Sequence, residues 1–472
     1  MSVNDHYARI RAELPTPVGV QRDVVALDPR GHNVILGTAG SGKTTMAMLR
    51  ALSLADPRTV HGGRTLLVTF NKSLLAFLKH VIPEDMIELD VRNYHRFARG
   101  YLYARGKMGS NAIVGPFRRS ELVSSALELV RAERDEQVLS RGEDFFGLEI
   151  EWMARNGTLD DRGYLDAERV GRGEALGQRA RAVVFAVWEK YVQLRQEDGY
   201  DYDWDDLANA ACTELRSDPS PRLYKHVVID EGQDFSPEML RSLALAIPDD
   251  GSLTFFGDVA QQIYGRGLSW RSAGLNVRQV IRFTRNYRNS PEIASLGLAI
   301  AAMPYFQDVP DMVAPDGFAD AGPPPTLVRF DSPEGELAFV REQAIALGAI
   351  GPVGVLFRRD SDATRFAGSI PGANRLSATT ATWAPAPMIW AGTVHSAKGF
   401  EFQSVIIPGL SEHRWPEPEA ISAEGDEAAI ANDGRLLYVA VTRARQNLIM
   451  STSGPLTQLL PRRDGLWLEQ PQ

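Results

Sequence analysis

Asn33-Val34-Ile35-Leu36-Gly37-Thr38-Ala39-Gly40-Ser41-Gly42-Lys43-Thr44-Thr45 decides the fold class. An apolar run reads as a buried strand over 33–36, a glycine-rich turn follows, and a helix is expected from Thr45 onward. The turn matches G-x-x-x-x-G-K-[ST] in the strand–turn–helix setting that this motif requires. Glycines let backbone N–H groups curl around phosphate oxygens, and the helix N-terminus adds partial positive charge. Lys43 is placed to neutralise the outer phosphates, and the Thr44 hydroxyl to ligate Mg²⁺. The loop by itself points to a nucleotide, not to a reaction.

Working outward, short apolar runs alternate with helical periodicity, the signature of an α/β fold. Strands are expected over 33–36, 65–69, 226–229 and 253–256, and in a second set over 326–330, 353–357, 405–407 and 447–450. Two parallel-sheet domains follow: residues 1–100 with 196–275, then 276–472. Residues 101–195 lack strand signals and read as a helical insertion in the first domain. Within it, Val184, Val187, Trp188 and Tyr191 fall on one helix face and read as packed core. The Pro/Gly-rich stretch 317–325 reads as a surface loop.

The 472 residues suit two or three domains, and 44% hydrophobic with 24% charged residues is ordinary globular composition. One cysteine, Cys212, excludes a disulfide framework and fits a reducing, cytoplasmic compartment. The N-terminal segment has no signal-peptide core, and no apolar run approaches the roughly 20 residues of a membrane span. The net charge of −9 argues mildly against a nucleic-acid binder, but a strand needs only a local basic and aromatic track.

A second apolar strand ends in Asp230-Glu231-Gly232-Gln233-Asp234. Asp230 can hold Mg²⁺ through water, while Glu231 can orient or deprotonate an attacking water. A kinase needs no base beside its metal carboxylate, so the adjacent pair favours hydrolysis. The run Asp201-Tyr202-Asp203-Trp204-Asp205-Asp206 reads as structural, not as a metal site.

These boxes resemble those of superfamily 1A helicases of the UvrD/Rep/PcrA type. Asp230-Glu231-Gly232-Gln233-Asp234 is similar to D-E-x-Q-D, and residues Gly257-Asp258-Val259-Ala260-Gln261-Gln262-Ile263-Tyr264 to G-D-x-x-Q-S-I-Y. Asn286-Tyr287-Arg288-Asn289-Ser290 is similar to N-Y-R-S, and Leu437-Tyr438-Val439-Ala440-Val441-Thr442-Arg443-Ala444 to L-x-Y-V-x-x-T-R-A. Thr393-Val394-His395-Ser396-Ala397-Lys398-Gly399-Phe400-Glu401-Phe402 resembles T-x-H-x-x-K-G-L-E-F. Val68-Thr69-Phe70-Asn71-Lys72 and Tyr94-His95-Arg96-Phe97 stand where the family keeps two DNA-contacting boxes. The boxes run in order from Gln21 to Arg443.

The resemblance implies two RecA-like domains with ATP and Mg²⁺ between them. It implies that Gln21 reads the adenine edge, Tyr287 stacks on adenine and Glu401 bonds the ribose. Gln261 would contact the γ-phosphate, and Arg288 and Arg443 would act as arginine fingers from the second domain. The expected nucleotide contacts are Gly37, Thr38, Ala39, Gly40, Ser41, Gly42, Lys43, Thr44 and Thr45. For single-stranded or tailed DNA, the candidates are Thr69, Phe70, Asn71, Lys72, Tyr94, His95, Arg96, Tyr264, Trp270, Thr393 and His395. For Tyr94 and Trp270 a plain core position is an equal alternative. The family also implies 3′-to-5′ movement.

Three departures stand out. Thr45 replaces the arginine that often follows the P-loop threonine, which leaves base selectivity open. Trp270 is displaced from the Ile-Tyr pair it normally follows closely. The connection from Phe357 to Thr393 is too short for the large accessory 2B domain, which is expected to be absent or vestigial. The leading expectation is an ATP-driven single-strand DNA translocase or helicase. A DNA-sensing ATPase switch working with a partner nuclease, as in phage defence, is the alternative; a repair factor as partner also stays open. A P-loop kinase or transport ATPase is the third reading.

Overall fold

The computed structural model describes residues 17, 19–37, 40–70, 88–167, 169, 175–258, 270–271, 273–284, 286, 289–306, 321–376, 388–398 and 400–470. Thr38, Ala39, Asn71, Lys72, Gln261, Tyr264, Tyr287 and Arg288 lie outside them.

The first lobe opens with α1 (Val20–Val25), β1 (Gly31–Gly37), α2 (Lys43–Ala55), β2 (Thr65–Val68), β3 (Leu89–Arg92) and α3 (Tyr94–Ala104). Helices α4 (Pro116–Glu133), α5 (Glu143–Asn156), α6 (Asp161–Asp166), α7 (Gln178–Glu197) and α8 (Leu207–Ser217) follow. The chain then returns to the sheet through β4 (His226–Ile229), α9 (Pro237–Leu245), β5 (Ser252–Gly257) and β6 (Val277–Phe283). The strand order is β3-β2-β4-β5-β1-β6, all parallel.

Continuous apolar strands explain why both faces are covered. Val34, Leu36, Val227, Ile229 and Phe255 enter one core, while Ile35, Val228 and Phe256 enter the other. This is the period-two alternation of a strand buried on both sides. Helices α4 and α7 build a separate core that contains Val184, Val187 and Tyr191, with Trp188 packed against it.

The second lobe holds α10 (Pro291–Ala301), β7 (Thr326–Phe330), α11 (Pro333–Gly348), β8 (Val353–Phe357), α12 (Asp360–Gly368) and β9 (Asn374–Arg375). It continues with β10 (Ile389–Thr393), β11 (Phe402–Ile407), α13 (Pro418–Glu424), α14 (Asp426–Val441), β12 (Ala444–Ser453) and β13 (Leu468–Gln470). Its parallel sheet runs β13-β7-β12-β11-β8-β10-β9. Ser-Pro pairs start α9, α10 and α11: Ser236, Ser290 and Ser332 each accept a backbone N–H of the first turn, and the proline takes its first position.

The expected strands all occur, with ends shifted by a few residues. Strands β3, β6, β9, β10 and β13 were not expected. Most lie at or next to a sheet edge, where exposure dilutes the apolar signal. Strand β10 is buried but runs through Ala391 and Gly392, which carry weak strand propensity. The helix after the P-loop begins at Lys43, two residues before the expected start.

The acidic run before α8 is a structural hub. Asp203 accepts hydrogen bonds from the Tyr191 hydroxyl at 2.8 Å, Arg119 Nε at 3.2 Å and the backbone of Asp205 at 2.7 Å. Arg195 donates to Asp206 at 2.5 Å. These contacts clamp α4 and α7 to the first lobe. Asp203→Ala leaves the buried Tyr191 hydroxyl without its acceptor and takes one carboxylate from Arg119, which keeps Asp205, and we expect a loss of roughly 1–3 kcal/mol in urea unfolding. A loss below about 1 kcal/mol, the range of an exposed pair, would remove the hub from the fold's support.

Candidate active site between the lobes

The site is assembled from strand tips. The P-loop leaves β1 at Gly37, and Gly40 and Gly42 have positive φ of 81° and 83°, open to glycine without strain. Ser41 is buried beneath them. Lys43 is buried, donates to the Gly37 carbonyl at 2.7 Å and lies 3.8 Å from Asp258 at the tip of β5. Gln21 in α1 is buried over the loop and donates to the Ser41 carbonyl at 3.2 Å. Thr45 is half-buried in the first turn of α2.

Asp230 and Glu231 follow β4. Thr44 Oγ1 donates to Asp230 Oδ1 at 3.2 Å, while Asp230 Oδ2 is buried with no hydrogen-bond partner among the described residues. An orphaned buried carboxylate oxygen beside a threonine hydroxyl fits a Mg²⁺ site. Burial, then the neighbouring charge of Glu231, raises the Asp230 pKa. Glu231 holds a left-handed backbone, φ 52°. That conformation costs a non-glycine residue about 1–3 kcal/mol and is found where function over-determines it. The next residue must be Gly232, because a Cβ there would enter the Phe255 ring.

Burial opposes a charged Glu231, but Lys43, Lys398, Arg443 and the Gln233 amide outweigh it and hold its pKa below normal. Gln233 donates to Glu231 Oε2 at 2.5 Å and accepts from the Asp258 backbone N–H at 2.8 Å. It therefore ties the candidate base to the tip of β5. Gln233 and Asp258 carry no local signal of this link in the sequence, because it forms only when the tips of β4 and β5 meet.

The second lobe supplies two of those cations. Lys398 Nζ makes a salt bridge to Asp234 across the seam. Arg443 is buried and donates to the Val439 carbonyl at 3.2 Å. Asn289 bonds the carbonyls of Thr442 at 3.1 Å and Ala444 at 2.5 Å, and the Asn286 amide bonds Asn289 at 2.9 Å. The two arginine-bearing segments are thus pinned together. Asn286 and Asn289 were visible in the sequence only as letters of a box. Glu401 is half-buried just before β11.

Away from the phosphate loop, Phe70, His95 and Trp204 form a chain of edge-on rings, 5.9 and 5.3 Å between centroids. Arg99 lies over Trp204 at 5.8 Å, and Arg96 is exposed beside them. Trp204 was read as structural; the signal available was an aromatic inside an acidic turn. Tyr94 corrects an expectation. It is fully buried, and its hydroxyl bonds Ser242 at 2.7 Å, so it supports the core and offers no face to a base. Thr69 is likewise fully buried at the end of β2. Trp270 packs edge-on against Phe255 at 4.9 Å, partly buried on the same core. Thr393 is half-buried and its hydroxyl pairs with Ser396 at 3.0 Å. Local desolvation, then the charges of Arg358 and Lys398, pushes His395 down to about 4, although the residue as a whole is solvent-exposed.

Two parallel sheets, one ending in a phosphate loop and the other sending Lys398 to the acidic tip beside it, define a two-lobed, RecA-like P-loop protein. The family model of the UvrD/REP helicase N-terminal domain matches residues 19–283, and that of the UvrD-like helicase C-terminal domain matches 375–454. The chain belongs to the UvrD-like helicase family. It is 22% identical over 462 residues to a probable DNA helicase of Mycoplasma pneumoniae, covering 91% of this chain and 82% of that one. It is 23% identical over 551 residues to the ATP-dependent DNA helicase UvrD2 of Mycobacterium bovis, covering 91% and 78%. A segment of 59 residues is 44% identical to the ATP-dependent DNA helicase PcrA of Staphylococcus aureus, 12% of this chain and 8% of that one.

Chemically, the cleft can hold a triphosphate on the loop with a carboxylate base beside it. Glu231→Gln should lower nucleoside triphosphate turnover by about 10²–10⁴-fold. Binding of a fluorescent triphosphate should persist. Normal turnover in the purified variant would exclude Glu231 as the base.

Proposed function

We propose that this protein is an ATP-driven motor on single-stranded DNA. It hydrolyses ATP with Mg²⁺ in the interlobe cleft and couples each cycle to movement, 3′ to 5′. The observation that carries this reading is the seam itself. Cations from both lobes converge on one half-buried carboxylate, Glu231, so the hydrolytic charge arrangement depends on lobe closure. A ligand that favours one of two lobe arrangements is the physical requirement for a stroke.

Lys43, backed by the loop N–H groups, neutralises the outer phosphates. Thr44 and Asp230 would hold Mg²⁺, which would supply positive charge to the phosphates. Glu231 takes the proton of the attacking water; Gln233 fixes its orientation. Arg443, with Arg288 as the second finger, faces the charge on the transferring phosphoryl. Gln21 reads the base, Tyr287 stacks on it, and Glu401 bonds the ribose. Gln261 lies in the segment after Asp258 and reports the γ-phosphate to the DNA side. DNA lies along Phe70, His95, Trp204 and Arg96, with Thr393 and a neutral His395 contributing from the second lobe.

A second reading is a DNA-sensing switch that acts through a partner nuclease. It is favoured by the short connection between β9 and β10, which leaves no room for a 2B domain. ATP hydrolysis measured without nucleic acid and with single-stranded DNA, duplex DNA or RNA tests the motor. We expect single-stranded DNA to stimulate turnover by at least about tenfold, or about 1.4 kcal/mol of barrier. Lack of stimulation by any nucleic acid would overturn it. Stimulation without displacement of a 3′-tailed duplex would favour the switch.

A further inference from the structure

Helix α3 has two unlike faces. Tyr94, Phe97, Ala98 and Leu102 are buried against the sheet. Arg96, Arg99, Gly100 and Tyr103 are exposed and recur at one helical face. Arg92, at the end of β3, lies against Gly100, where a Cβ would sit 3.4 Å from its guanidinium. Together with Trp204 these residues line an open groove of about 830 Å³. Tyr103 is 73% exposed and Trp204 37%, an unusual cost for two large rings on one surface. Neither Arg96 nor Arg99 is paired with a carboxylate among the described residues. The chain as a whole carries −9, so this groove is a local reversal of sign.

We infer that the exposed face of α3 is a nucleic-acid subsite that carries the strand past His95, Trp204 and Arg96, away from the interlobe seam, onto Arg99 and Tyr103. It takes the sugar-phosphate backbone of single-stranded DNA on Arg96 and Arg99, and a base on Tyr103, while Arg92 lines the groove paired with Asp90 at 3.3 Å. Guanidinium groups suit phosphate, and an exposed ring beside them offers a stacking platform that is indifferent to sequence. The groove is continuous with the Phe70–His95–Trp204 rings, because Trp204 and His95 line both. A strand held at the seam would therefore run on over α3, and the protein would cover more nucleotides than the seam alone. An acidic peptide would satisfy the arginines but not the paired rings, so we assign the groove to a polynucleotide. The inference rests on the DNA reading above.

The test is equilibrium binding of a short and a long oligothymidylate, across a salt series. Wild type should bind the long strand more tightly. The double variant Arg99→Ala/Tyr103→Ala should lose that gain, about tenfold in affinity, and keep its affinity for the short strand. Its salt dependence should flatten by about 0.7 in log–log slope, one phosphate contact. Arg99→Glu should weaken the long strand further still, and an unchanged thermal unfolding midpoint will show that both variants are folded. Variants that match wild type in length and salt dependence would overturn the site while leaving the motor reading intact. Wild type that binds no DNA would overturn both. Loss of free-nucleotide binding in the variants would also overturn the inference, since the groove would then serve a mononucleotide.

Discussion

A buried carboxylate stays ionised only where cations face it. Glu231, half-buried at the seam, is faced by one cation from its own lobe, Lys43, and two from the other, Lys398 and Arg443. This candidate base therefore has its full electrostatic setting only while the lobes are together. On the proposed reading nucleotide chemistry and lobe position are one equilibrium, because whatever separates the lobes removes positive charge from around Glu231. The Lys398–Asp234 bridge fixes the same geometry a few residues away. Burial, partly offset by Lys398, raises the Asp234 pKa to about 6, so the bridge weakens only as pH falls through that value.

The rest of the fold serves to hold these few groups still. Parallel strands buried on both faces end at the same sheet edge, so β1, β4 and β5 deliver Lys43, Asp230 and Asp258 to one place. Gln233 links two of those tips. On the opposite wall, Asn289 binds the backbone on both sides of Arg443 and restrains it through hydrogen bonds rather than side-chain packing.

The phosphate loop and the acidic pair could be read from the chain because each is a short local pattern with a fixed spacing. The same holds for strands such as Val353–Phe357, whose residues are all buried. Positions set by tertiary contact could not be read that way. Tyr94 and Trp204 are both aromatics near polar residues, and nothing local separates them. Only the packing of α3 against α8 and the sheet core turns Tyr94 inward to Ser242, and only the turn before α8 leaves Trp204 beside His95. Edge strands were hidden for a related reason. Half of their side chains meet solvent, so β6 reads as polar although it pairs with β1 along its length.

Coupling between lobe position and nucleotide state can be observed directly. Cys212, the one native cysteine, is buried, so cysteines introduced as Val60→Cys and Ile350→Cys, at positions 93% and 71% exposed, can carry a donor and an acceptor dye on opposite lobes. Energy transfer should differ between a non-hydrolysable ATP analogue and ADP, with single-stranded DNA present in both. Identical transfer in the two states, in a protein that still hydrolyses ATP, would contradict the account.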